Sequence, residues 1–121
     1  MEKQYFTRFV SAILNSRTQA HIFHLKSTSY AKHKALNDYY DSIIDLIDGL
    51  VESVQGKYGL LENYKEPSQY LEDNEIEYFE KLVSFTSEIR TKFFQDSFIQ
   101  NDIDEIEKLI YSTLYKLKYL S

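Results

Sequence analysis

Between Leu36 and Val54 the apolar residues Leu36, Tyr40, Ile43, Ile47, Leu50 and Val54 advance by four, three, four, three and four. That stepping belongs to a helix that lays one narrow apolar seam against its neighbours. A half-buried strand would alternate in twos, and a membrane span would be apolar on every side. The seam sits in a chain with three glycines and one proline among 121 residues. Hairpin-rich folds need many more turn-formers. The chain is therefore expected to be all-α.

Four such stretches are readable. Residues 3–26 carry Phe6, Phe9, Val10, Ile13, Leu14, Ala20 and Phe23, with a polar gap at Arg17. After a short polar break, with Thr28 or Ser29 as N-cap, the seam helix covers 30–55 and Gly56 is placed to stop it. Residues 57–73 hold no long periodic stretch, only a one-turn helix around Ser68 to Leu71. A third helix covers 74–95 on Ile76, Phe79, Leu82, Phe85, Ile89 and Phe93. The fourth, capped by Asn101 or Asp102, covers 102–120 on Ile103, Ile106, Ile110, Leu114 and Leu117.

The breaks between the first and second helices and between the third and fourth are short, so each pair is expected to be antiparallel. The connection between the second and third is about seventeen residues. A helix of ~24 residues is ~36 Å long, a distance that seventeen extended residues at ~3.3 Å each can span. The second and third helices are thus expected to be parallel. A four-helix bundle with one long crossover is the ferritin-like arrangement, in one domain spanning 1–121.

The composition narrows the chemistry. With no cysteine there is no disulfide, zinc–thiolate site or thiol nucleophile. No run approaches the ~18 apolar residues of a membrane span, and Met1 to Phe6 do not read as a signal peptide. No membrane association and a cytoplasmic location are expected. The net charge is -5, with residues 1–60 carrying seven Lys/Arg and six Asp/Glu, and residues 61–121 seven and thirteen. Strong direct binding to DNA needs clustered Lys/Arg and is not expected.

The side chains that point to a specific chemistry lie near the first break. His21 and His33 are twelve apart, and Asp48 and Glu52 follow His33 by fifteen and nineteen residues. Imidazole and carboxylate suit iron, with zinc or manganese as alternatives. Asp48 and Glu52 are four apart on one helix face and flank Ile47 and Val51, which predicts partial burial. The Glu-x-x-His pair of an intrabundle di-iron centre is absent. No acid–base or nucleophilic catalytic set stands out.

Taken together, Gln19-Ala20-His21 through Gly56 resembles the Dps family of mini-ferritins. That family has a histidine near the end of its first helix and another twelve residues later. A carboxylate four residues after the second is common, and an Asp and a Glu come fifteen and nineteen residues on. Here those positions are His21, His33, Asn37, Asp48 and Glu52, without a gap. The last helix is similar in outline, and the crossover is shorter. The resemblance implies a metal site split between subunits, with His21, His33 and Asn37 from one chain and Asp48 and Glu52 from a two-fold neighbour. It implies iron as the ion, ferrous oxidation by peroxide or oxygen, and a homo-oligomer, at least a dimer with a dodecamer favoured. Small chains of this kind are similar to phage-encoded members, which would place the protein in a host cytoplasm or a virion.

The chain departs from the family in four ways. Asn37 replaces a carboxylate, Ile22 replaces the aromatic residue that commonly follows the first histidine, the glycine in the turn between the first two helices is absent, and no basic N-terminal tail is expected. A non-enzymatic scaffold or virion component with the same fold is the alternative. His24, three residues after His21, reads as a supporting residue or as a substitute for the missing ligand.

Overall fold

A computed structural model describes residues 1–65 and 74–120. Among these there are four α-helices and no strand: α1 (Glu2–Lys26), α2 (Tyr30–Tyr58), α3 (Glu75–Ile89) and α4 (Ser97–Tyr119). A 3₁₀ turn, Arg90–Lys92, follows α3.

The helices form where the seams predict, but three ends move for identifiable reasons. α2 does not stop at Gly56. It runs to Tyr58 and ends at Gly59, the one glycine with positive φ (88°), whose N–H bonds Gln55 O at 2.9 Å. Among the described residues only Gly59 occupies the backbone region that L side chains avoid. α3 stops at Ile89 instead of 95. Phe93 is extended, and the Arg90 carbonyl is taken by the side-chain amides of Gln95 (2.9 Å) and Gln100 (3.2 Å). α4 begins at Ser97, five residues before the expected start, because Ile99 adds a buried turn to the Ile103, Ile106, Ile110 stripe. Ser29 caps α2 by accepting from Lys32 N, and Asn74 caps α3 by accepting from Glu77 N at 3.1 Å. The expected one-turn helix at Ser68 to Leu71 lies outside the described residues.

Side-chain pairs give the helix directions. Ser16 meets Tyr39 and His24 meets His33, so α1 and α2 are antiparallel. Phe23 meets Tyr78 and Phe6 meets Phe93, so α1 and α3 are antiparallel too. α2 and α3 therefore run in the same direction. Lys32 pairs with Glu75 at one end, Tyr39 touches Phe79 in the middle, and Tyr58 stacks on Phe94 at the other end. α1 and α4 each pack against both α2 and α3, which completes a four-helix bundle. Of the connecting stretch, residues 59–65 fold back beside α2 and α1. Leu61 N and Tyr64 OH both donate to Gln55 Oε1, and Ser11 Oγ donates to Lys65 O.

The core is aromatic at one end, where Phe6, Phe9, Phe93 and Phe94 meet with ring centroids 5.2 to 6.5 Å apart. Such pairs add about 0.5–1.5 kcal/mol each beyond area burial. At mid-height the polar gap of α1 is filled by Ser16. The buried Tyr39 hydroxyl lies 2.7 Å from Ser16 Oγ, which donates to Ile13 O at 2.6 Å. Burial pushes the Tyr39 phenol far above its ordinary value, with the Ser16 bond opposing the shift. The α2 residue facing the core is thus Tyr39. The seam reading had chosen Tyr40, which is only partly buried and serves elsewhere.

Candidate functional site

The Ser27–Ser29 break is tight enough to fold the last turns of α1 onto the first turn of α2. Ser27 Oγ donates to Ser29 O (3.0 Å) and accepts from Ser29 N (3.2 Å). This brings three imidazoles and one phenol into a single cluster. His24 Nδ1 lies 2.8 Å from His33 O, and His33 Nδ1 lies 2.9 Å from His24 O. A carbonyl only accepts, so each Nδ1 carries a proton, and in the neutral imidazole Nε2 is then the nitrogen with the in-plane lone pair. That is how backbone contacts prepare imidazoles to ligate.

The ring arrangement limits what this pair can hold. His24 and His33 stack face to face, with centroids 3.5 Å apart and planes at 22°. An ion between the planes would stand about 1.7 Å above each ring, against a metal–nitrogen bond of ~2.1 Å. The bond would leave the ring plane by roughly 55°, far from the lone pair. In this arrangement one ion cannot use both rings.

Of the residues singled out in the sequence, His21 is not the direct partner of His33. It stacks on Tyr40 at 4.4 Å and 19°, with His24 edge-on to both. Tyr40 OH donates to Asn37 Oδ1 at 2.7 Å, and Asn37 Nδ2 donates to Asp41 Oδ2 at 3.1 Å. Asn37 is thus joined to the cluster through Tyr40. The contact between His24 and His33 was readable from the turn. They stand four residues before and five after Thr28, which in a tight antiparallel corner makes them opposite neighbours.

Asp48 and Glu52 lie elsewhere. At ~1.5 Å per residue they are roughly 22 and 28 Å along α2 from His33. Both are exposed, not partly buried as their position beside Ile47 and Val51 had led us to expect. They edge a cleft of about 370 Å³ floored by Val10, Leu14, Ile47 and Val51, with Tyr64 over it. Among the described residues neither carboxylate meets a cation, and no group of three or more His, Asp and Glu is close enough to hold a metal. Within one chain the five residues form two half-sets and no complete site.

Residues 24–117 match a family of unknown function, DUF5856. The chain belongs to this family. No curated protein and no solved structure matches it. The DUF5856 stretch opens at His24 and takes in His33, Asn37, Asp48 and Glu52, while His21 precedes it. It also takes in one wall of a groove of about 960 Å³ between α1 and α3, where Tyr78, Lys81 and Phe85 face Arg8, Ser11 and Asn15. Among the described residues that groove contains no histidine and no paired carboxylates, so those residues do not compete with the corner cluster as a place for metal chemistry.

Proposed function

We propose that the protein is an iron-handling, mini-ferritin-like bundle in which imidazoles of one copy and Asp48 and Glu52 of another share an iron ion. The parallel α2–α3 pair is read as the ferritin-like arrangement with its long crossover. The observation that carries the proposal is the state of the two half-sets. At the corner, two imidazoles have Nδ1 committed to backbone and Nε2 left to donate. Far along α2, two carboxylates one turn apart stand exposed, and among the described residues neither meets a cation. Each half-set is the complement of the other, and only a second chain can unite them. Ferrous iron would be the substrate, and peroxide or dioxygen would take its electrons. Rotation of one ring out of the His24–His33 stack is required before both imidazoles can ligate. His24, His33 and Glu52 would then be the principal ligands, with His21 and Asp48 beside them.

The test combines mass in solution and bound iron, with and without ferrous salt, and the rate of Fe(II) oxidation. Wild type should bind iron as a dimer or larger assembly and oxidise it faster than buffer alone. His33→Ala and Glu52→Ala should each abolish binding. Asn37→Asp should strengthen it, because a carboxylate there adds an anionic donor and still accepts from Tyr40. If wild type and Asn37→Asp both bind no iron, the reading fails.

The stacking of His24 on His33 favours a second reading, in which the cluster is a structural clasp and the protein a non-enzymatic scaffold. Under it His24→Ala and His33→Ala lower stability equally with and without metal.

A further inference from the structure

α4 carries three of its exposed aromatic residues in one row, while the fourth, Phe98, stands apart in the first turn. Tyr111, Tyr115 and Tyr119 are spaced by four and are 56, 56 and 73% exposed, and the Tyr115 and Tyr119 rings are 5.8 Å apart. Residues three and four apart share a helix face, so Lys108 precedes the row and Asp104 precedes Lys108 on the same side. Both are exposed. Asp104 remains 61% exposed at its side chain even with Arg90 bonded to it. The outward face of α4 is thus acidic in its first half, and cationic and phenolic in its second. Its opposite face, Ile103, Ile106, Ile110, Leu114 and Leu117, is spent on the core.

A face of this polarity is complementary to itself when reversed. In an antiparallel pair centred between Tyr111 and Ser112, Asp104 of one helix comes opposite Tyr119 of the other, an acceptor facing a phenol. Lys108 comes opposite Tyr115, a cation facing an aromatic ring. The two helix dipoles also oppose each other. A parallel pair would instead set acid on acid and lysine on lysine. We propose that this face of α4 is a two-fold contact between two copies of this chain, packed antiparallel. It lies on a helix that contributes none of the half-set residues, so it goes beyond the metal reading and does not depend on it. One pair of helix faces covers less than the ~1,600 Å² of a standard interface, so the dimer should dissociate on dilution.

Because the chain has no cysteine, a single introduced thiol reports the contact cleanly. Ser112→Cys sits at the proposed axis, and Ser42→Cys sits on the exposed side of α2 as the control. Both are made in a Glu52→Ala background, so that any association through a shared metal site is removed. The expected result is rapid disulfide dimer formation by Ser112→Cys and not by Ser42→Cys. Adding Tyr115→Lys, which sets lysine against Lys108 of the other copy, should abolish both the cross-link and the dependence of mass on concentration in sedimentation, with helical circular dichroism unchanged. The proposal is overturned if Ser112→Cys cross-links no faster than Ser42→Cys, or if Tyr115→Lys leaves the mass–concentration curve where it was.

Discussion

Tyr39 and Ser16 show how much one hydroxyl can decide. Ser16 Oγ donates to Ile13 O, which leaves the Tyr39 hydroxyl to donate into Ser16. Removing the phenol oxygen leaves Ser16 still bonded to backbone, so Tyr39→Phe should cost about 1 kcal/mol. Removing the serine leaves a phenol hydroxyl buried without a partner, so Ser16→Ala should cost more, ~2–3 kcal/mol. Urea denaturation of the two variants checks the order, and a larger loss for Tyr39→Phe would refute the assigned direction of the bond chain. This detail was not readable from the sequence. A seam of fours and threes fits Tyr39 and Tyr40 equally well, and only packing against Phe79 and Ser16 selects Tyr39. The five site residues were readable as types and spacings. The partner of His33 was missed, because the choice between His21 and His24 is set by where the chain turns and not by residue type or spacing.

The helices themselves were legible because each repeats its apolar step over several turns. Their ends were not, because non-local side chains decide them. Asp96 has the position of an N-cap, but its carboxylate instead takes the Lys57 ammonium and, at 2.6 Å, the Tyr58 hydroxyl. It thereby ties the end of α2 to the start of α4. The Lys57 hydrogen bond foremost, then that of Tyr58, holds the Asp96 carboxyl below its ordinary 3.8. A depressed folded value means the contribution is present above pH ~4 and is lost as pH falls through the folded value. Asp96→Asn should therefore lower the thermal midpoint at neutral pH and flatten its decline in acid. An unchanged acid limb would remove Asp96 from that role. The glycines give an opposed pair. Gly59 holds φ 88°, so Gly59→Ala should destabilise by about 1 kcal/mol or more. Gly56 lies inside the helix with open space around its Cα, so Gly56→Ala should stabilise by ~0.4–1 kcal/mol. Thermal melts of the two should move in opposite directions.

At the scale of the whole molecule, the parallel run of α2 and α3 followed from arithmetic on the length of their connection, which needs no knowledge of contacts. Charge is legible at this scale as well. With a net -5 and no clustered Lys/Arg, few phosphates can be neutralised. A gel shift with duplex DNA at ~0.15 M salt should show no sub-micromolar complex. The pairing of helices also sets an order in time. Contacts between α1 and α2 join near neighbours in the chain, nine residues apart at His24–His33 and 23 at Ser16–Tyr39. Phe6 and Phe93 close a loop of 87 residues (93 − 6) in a chain of 121. Loop closure costs grow with separation, and local contacts form first. The α1–α2 hairpin should therefore be structured in the folding transition state and the closure on α3 should come after it. In stopped-flow chevrons, Ser16→Ala should slow refolding, while Phe93→Leu should mainly hasten unfolding. The corner that gathers the histidines would then be among the earliest parts of the bundle to form.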